Sequence, residues 1–218
     1  MHETPAIVVL ISGSGSNLQA IIDAVQNGTI HGHIAAVISN RPDAFGLRRA
    51  SEADIPTRVL DHSLYPNREQ FDAELMSVID EYQPSLLVLA GFMRILTEGF
   101  VRHYQGSMLN IHPSLLPKYR GLNTHARAID AGDTEHGVSV HFVTPELDGG
   151  PVIVQARIPI QSGDTAEELA QRVLEKEHII YPRAISWFTS GRLKLEDHQV
   201  YFDQTPIETP LLLDAIES

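Results

Sequence analysis

Hydrophobic positions in the first hundred residues come in two kinds of run. Short stretches are apolar throughout, and longer stretches repeat their apolar positions every three or four residues. Ala6–Ile11 is a continuous, mostly β-branched run, and Leu18–Val25 after it has helical spacing at Leu18, Ile21, Ile22 and Val25. His33–Ser39 then reads as a strand, and Ala44–Ala53 as a helix with Asp43 at its N-cap. Thr57–Leu60 is a short strand. Asn67–Tyr82 is a helix with Phe71, Leu75, Val78, Ile79 and Tyr82 on one face, and Leu86–Ala90 is an apolar strand stopped by Gly91. Strands that are apolar on both faces and alternate with helices predict a parallel sheet covered on both sides. Residues 1–100 therefore read as a doubly wound, Rossmann-like half of the nucleotide-binding kind.

The pattern changes after residue 100. Met108–Ile111 is a strand that runs into the proline-rich loop His112–Gly121, and Thr124–Ala131 is a helix. Val138–Val143 and Val152–Pro159 are strands separated by the turn Pro145–Pro151. Thr165–Phe188 is a long helix opened by Asp164, and a hairpin is expected near Leu193–Phe202. Strands joined by loops, without crossover helices, suggest antiparallel additions to the sheet. The predicted fold class is α/β, a mostly parallel sheet extended by antiparallel strands. No linker or repeat divides it, so 1–218 reads as one domain, with 101–195 as a second half and 196–218 as a tail.

Composition narrows the function. The 218 residues contain no cysteine, which excludes disulfides, thiolate catalysis and cysteine-bound metals. A formal charge of −12 argues against nucleic acid as a partner, since phosphate backbones are held by clustered Lys and Arg. No apolar run reaches the roughly 20 residues of a membrane helix. The start, MHETPAIVVLISG, lacks the basic segment of a signal peptide. These features predict a cytoplasmic protein with neither membrane nor nucleic acid as partner.

Candidate chemistry gathers in three places. Ser12-Gly13-Ser14-Gly15-Ser16-Asn17 joins the first strand to the first helix, whose unpaired N–H groups and positive dipole end suit an anion. Ser16 or Asn17 is expected to cap that helix. The loop is neither a full G-x-G-x-x-G fingerprint nor a P-loop, so a capped tight turn and a phosphate-monoester site both remain open. Asn110 and His112 stand two apart at the end of a strand, and Pro113 holds His112 extended. An amide donor beside an imidazole suits oxyanion stabilisation in acyl transfer. Asp148 sits in the turn Thr144–Pro151, where a carboxylate near the imidazole would favour its protonated form. His112, His125, His136 and His141 have no tight metal-ligand spacing, so no metal is expected. In the alternation of Val138, Val140 and Phe142 with Ser139, His141 and Val143, His141 occupies the more polar face.

Five segments together carry a resemblance: SGSGSNL after the first strand, LAGFMRIL at 89–96, NIHPSLLPKYRG at 110–121, HGVSVHFVTPELDGGPVI at 136–153 and EHIIYP at 177–182. They closely resemble the phosphoribosylglycinamide formyltransferases, in order, from the first strand to about Leu195. The NIHPSLLP segment alone is also similar to methionyl-tRNA formyltransferase and formyltetrahydrofolate deformylase, and the early glycine loop distinguishes the first family. A non-catalytic nucleotide-binding module is the alternative from another class.

The resemblance implies a formyltransferase fold and transfer of formyl from 10-formyltetrahydrofolate to the amine of 5-phosphoribosylglycinamide (GAR), a step of purine synthesis without metal. It implies that Gly15, Ser16 and Asn17 hold the ribose phosphate and that Glu177 contacts the glycinamide. It assigns Arg68, Met93, Arg94, Ile95, Leu96, Asn110, Thr144, Pro145, Glu146 and Leu147 to the folate side, with Asn110, His112 and Asp148 as the reacting set. Ser14 and Arg120 stand where family members vary. Oligomeric state is left at monomer or weak homodimer.

Overall fold

The computed structural model describes residues 4–216. Its described residues form two compact units, 4–110 and 111–216. The first contains β1 (Ala6–Ile11), α1 (Ser16–Gln26), β2 (His33–Ser39), α2 (Gly46–Glu52), β3 (Thr57–Val59), α3 (Arg68–Asp80), β4 (Leu86–Leu89), α4 (Glu98–His103) and the start of β5 (Met108–His112). Its strands are all parallel, in the order β5-β4-β1-β2-β3. Ile7 to Ile11 are each 0% exposed, so residues pointing to either face of β1 are covered. That burial is why the strand reads as a solid apolar run instead of an alternating one.

The second unit contains the end of β5, α5 (Thr124–Asp130), β6 (Glu135–Phe142), β7 (Val152–Pro159), α6 (Ala166–Thr189), β8 (Leu193–Glu196), β9 (Gln199–Phe202), β10 (Thr205–Pro206), β11 (Leu211–Leu212) and α7 (Leu213–Ile216). β6 and β7 are antiparallel, and β11 runs parallel to β7 on its other edge. α6 packs on this pair through Leu169, Val173, Ile180 and Tyr181, all 0% exposed. β8, β9 and β10 form a separate antiparallel meander. The expected α/β class, mostly parallel with antiparallel strands, is present. Among the described residues no helix is long and apolar enough to cross a membrane.

The expected caps need correction. Gly15, not Ser16 or Asn17, is the N-cap of α1, in the left-handed region (φ 70°) with no side-chain cap bond. Asp43 caps nothing: Arg41 holds its carboxylate at 3.0 and 3.1 Å, and α2 begins beyond Phe45. Asp164 accepts from Gln161 N (2.7 Å) and pairs with Arg172, while Thr165 opens α6 in a reciprocal capping box with Glu168. α4 escapes the periodicity because it is one short turn pair. Its signals are the Thr97 cap on Phe100 N (3.3 Å), Glu98 in the first turn, and Arg102 with His103 in the last.

Thr165→Ala removes one half of the capping box, and denaturant titration should show a loss of about 1 kcal/mol. An unchanged midpoint would mean that Glu168 alone satisfies the helix end.

Candidate active site

In the first unit the strand order reverses between β1 and β4, and the carboxyl ends of the strands open into a cavity of about 510 Å³. Such switch points are where open α/β sheets bind ligands. The lining comes from successive strand ends: Ser12 to Asn17 after β1, Asn40 and Arg41 after β2, His62 after β3, and Ala90, Gly91 and Met93 after β4. Gly15, Ser16, Asn17 and Met93 therefore share one cavity. Arg68, Arg94, Ile95 and Leu96 lie outside its lining.

The glycine loop is clamped from α2. Gly46 N donates to Gly13 O (3.0 Å), and Arg49 Nε donates to Ser14 O (2.9 Å). Arg49 also donates from Nη1 to Gln19 Oε1 (3.3 Å). Carbonyl oxygens repel an anion, and here two consecutive ones are spent on donors from α2. The approach is close enough that a Cβ on Gly15 would lie 2.6 Å from Gly46 Cα.

The segment Met93–Leu96 is pinned at both ends. Met93 N donates to Ser12 Oγ (2.8 Å), and Thr97 N donates to the buried Asp72 carboxylate (2.6 Å). Between these anchors Met93 and Ile95 are 66% and 58% exposed, while the Arg94 guanidinium lies 5.2 Å over the Phe71 ring. Arg94 Nε is buried and has no hydrogen-bond partner among the described residues. Arg68 is exposed in the first turn of α3, and Asn110 sits on β5 in register with Leu89.

In the second unit His112 and Asp148 come together, both nearly buried, with Nδ1 3.4 Å from Oδ2. His112 Nε2 lies 2.8 Å from the Tyr119 carbonyl. Both ring nitrogens thus face oxygen acceptors, a setting the imidazolium fills with two N–H donors. Asp148 Oδ2 also accepts from Gly121 N (2.9 Å), and its Oδ1 is 3.9 Å from His141 Nε2. Asp148 adopts φ 47°, a region that Asp tolerates better than most residues. The next turn must be bare, because a Cβ on Gly150 would lie 1.8 Å from Phe142 O.

Residues that sequence reasoning missed hold this loop. Ser139 Oγ accepts from Leu116 N (3.1 Å) and donates to Ser114 O (2.7 Å). Gln155 Nε2 donates to Leu116 O and to Ser139 Oγ, both at 2.9 Å. Ser114 Oγ donates to Lys118 O (2.6 Å), and Thr124 Oγ1 donates to Pro113 O (2.6 Å). Polar residues flanked by apolar ones, Ser139 between Val138 and Val140 and Gln155 between Val154 and Ala156, are the available signal. His141 is also more than a polar-face residue: it is 2% exposed and faces Asp148, next to a register shift between Val140 and His141. Bulges commonly re-aim side chains beside functional sites.

Of the other expected residues, Thr144, Pro145, Glu146 and Leu147 form the loop between β6 and β7. Glu146 pairs with Arg120, and Leu147 is 52% exposed. Glu177 is buried on α6. Among the described residues no group of three or more His, Asp or Glu is arranged to hold a metal ion. His125 Nδ1 and His136 Nε2 instead lie 3.1 Å apart. Burial, reinforced by His125, lowers the His136 pKa to about 4, and burial lowers those of His125 and His141 as well.

With this geometry in view, the family model described as formyl transferase matches residues 6–185. The chain belongs to that family, and it is a formyltransferase enzyme. It is 58% identical over 197 residues to the phosphoribosylglycinamide formyltransferase of Escherichia coli K12, covering 90% of this chain and 93% of that one. It is 51% identical over 197 residues to the Haemophilus influenzae protein of the same name, again covering 90% and 93%. The solved phosphoribosylglycinamide formyltransferase from Coxiella burnetii, in complex with CHES, superposes with a TM-score of 0.92 at 57% identity, covering 96% of this chain and 99% of that one.

A histidine kept neutral by burial is protonated more readily after unfolding. His136 therefore contributes stability that is complete above about pH 6.5 and is lost as pH falls towards 4. Urea titrations at pH 7.5 and 5 should show a drop for the wild type that is smaller in His136→Gln. Equal drops in both proteins would contradict this assignment.

Proposed function

We propose that this chain transfers the formyl group of 10-formyltetrahydrofolate to the amine of GAR, in de novo purine biosynthesis, with Asn110, His112 and Asp148 as its reacting set. The similarity to enzymes named for this reaction supports the substrates. The observation that carries the mechanism is the buried pair of His112, the last residue of β5, and Asp148, in the loop between β6 and β7.

The residues present fit both ligands. Gly15, Ser16 and Asn17 line a cavity at the start of α1 and suit the ribose phosphate, by backbone N–H donors and the helix dipole. Exposed Met93 and Ile95 around an Arg94 with an unspent Nε–H suit a flat heteroaromatic ring, and Arg68, Leu96 and the loop Thr144 to Leu147 belong to the same folate side. Glu177 is assigned to the glycinamide.

Bound 10-formyltetrahydrofolate supplies a formyl carbon attached to a nitrogen leaving group. Asn110 donates its amide N–H to the formyl oxygen as negative charge develops there. His112 exchanges its Tyr119 contact for the same oxygen and donates from Nε2. Such donors are each worth about 3–4 kcal/mol. Asp148 accepts from His112 Nδ1 and orients the ring, and the amine proton passes by way of His112 or water to the folate nitrogen as the bond from that nitrogen to the formyl carbon breaks. Holding both reactants in register contributes on the order of 7–11 kcal/mol at best. No residue forms a covalent intermediate and no metal takes part. The protein acts as one domain, 1–218, in the cytoplasm, on small molecules, as a monomer or weak homodimer.

His112→Ala and Asp148→Asn should each lower turnover in a GAR formylation assay by about 10²–10³-fold. Asn keeps the left-handed backbone at position 148 and removes only the charge. Near-normal turnover in either variant would overturn the assignment. Arg49→Met should raise the KM for GAR by about 10-fold, with the folate KM unchanged, since the glycine loop loses a charge-assisted bond. An unaltered KM for GAR would show that α2 does not shape the phosphate site.

A further inference from the structure

Helix α3 carries one acidic side chain in an otherwise apolar buried stripe. Its buried residues are Phe71, Asp72, Leu75 and Ile79, each at most 1% exposed. Asp72 Oδ2 accepts from Thr97 N at 2.6 Å, while Oδ1 is buried and has no hydrogen-bond partner among the described residues. Burying a carboxyl group with one oxygen unpaired costs free energy. An apolar residue here would avoid that cost, and the one thing it could not supply is the bond to Thr97.

Thr97 is the N-cap of α4, and its Oγ1 accepts from Phe100 N at 3.3 Å. A complete capping box also needs an acid at the third helical position, reaching back to the N–H of the cap residue. Glu168 does this for Thr165 in α6, at 3.0 Å. In α4 the third position is Phe100, whose side chain has no acceptor, and Asp72 takes the part from another helix. The box that starts α4 is therefore also a tie between α3 and the end of the segment Met93–Leu96. The neighbouring residue of α3, Phe71, carries the Arg94 guanidinium 5.2 Å from its ring centre. Arg68 stands one turn earlier on the same helix. The segment and Arg68 thus share one support, and the glycine loop joins the segment at its other end, through Ser12.

We propose that Asp72 is a positioning residue for the folate-side segment: it completes the cap of α4 from α3 and so fixes Met93–Leu96 against Arg68. The inference rests on the assignment of that segment and of Arg68 to the folate. Asp72 is 1% exposed and lies outside the cavity lining, so it acts through the shape of the folate side. Its effect falls on folate affinity, and leaves GAR binding and the chemical step as they are.

The test compares Asp72→Leu and Asp72→Ala, which remove the acceptor, with Asp72→Asn, whose side-chain oxygen can still accept from Thr97 N. Asp80→Ala is the control, because Asp80 accepts from Tyr104 Oη (2.8 Å) and joins α3 to the far end of α4. Calorimetric titration with tetrahydrofolate, and separately with GAR, reads affinity without turnover. In Asp72→Leu and Asp72→Ala the dissociation constant of tetrahydrofolate should rise about 10-fold, the scale of one lost hydrogen bond, with that of GAR within about 2-fold. The folate KM should follow while kcat stays within about 3-fold, and Asp72→Asn should recover most of the loss. Asp80→Ala should bind both ligands as the wild type does, even with a lower melting temperature. Amide exchange at Thr97 in the unaltered protein needs no variant to fold: saturating tetrahydrofolate should slow it about 10-fold, by linkage. Wild-type folate affinity in a folded variant without the acceptor, or a Thr97 exchange rate indifferent to tetrahydrofolate, would overturn the proposal. Equal weakening of both ligands, an Asn variant as poor as the Leu one, or the same folate defect in Asp80→Ala would overturn it too. Should the wild type bind neither ligand, the assignment of substrates fails, a result distinct from any of these.

Discussion

Buried backbone without regular structure must find partners from side chains, and the loop after β5, buried at Ser114 and Leu116, depends on that requirement. Leu116 has both its N–H and its carbonyl engaged by Ser139 and Gln155, and Ser114 has its carbonyl engaged by the same serine. With the loop so held, the Tyr119 carbonyl reaches His112 and the Gly121 N–H reaches Asp148. The positions of the imidazole and the carboxylate are thus consequences of two polar residues in β6 and β7. A serine and a glutamine are costly inside a core unless every bond is made, and here they are satisfied by the backbone they organise.

The glycine loop solves the opposite problem. An anion site on this loop, as proposed, requires its N–H groups to stay available and its carbonyls to be occupied elsewhere. α2 supplies one backbone N–H and one guanidinium for that purpose, from the far side of a contact that only two glycines permit. In both units the residues of the candidate site are held by neighbours that lie outside it.

The strands and long helices were legible because burial on both faces leaves a solid apolar run, as in β1, and amphipathic burial leaves a three-to-four period, as in α1 and α3. Gly15, Ser16, Asn17, His112 and Asp148 were legible as motifs at strand ends. The caps at Asp43 and Asp164 were misread because each carboxylate had a nearby arginine, and a paired carboxylate is no longer available to a helix end. α4 is too short to establish a period. Alternation places His141 on the more polar face but not in the core, since neither the cover on both faces of β6 nor the local register shift leaves a mark in the sequence. Ser139 and Gln155 were passed over for a related reason: their partners are backbone atoms more than fifteen residues away, and backbone atoms carry no sequence signal.

The contact between Gly15 and Gly46 bears on how such a chain can change over time. A Cβ on Gly15 would meet Gly46 Cα at 2.6 Å, and one on Gly46 would meet Ile11 Cδ1 at 2.5 Å and Gly15 Cα at 3.2 Å. The Gly15 clash is with a backbone atom that every residue has, whereas the nearer Gly46 clash is with the tip of the Ile11 side chain. Position 15 is consequently locked whatever side chain stands at 46, while position 46 answers to the residue at 11. Drift along α2 is free to alter its exposed face, but its first turn, by its backbone, holds the facing position of the loop to glycine.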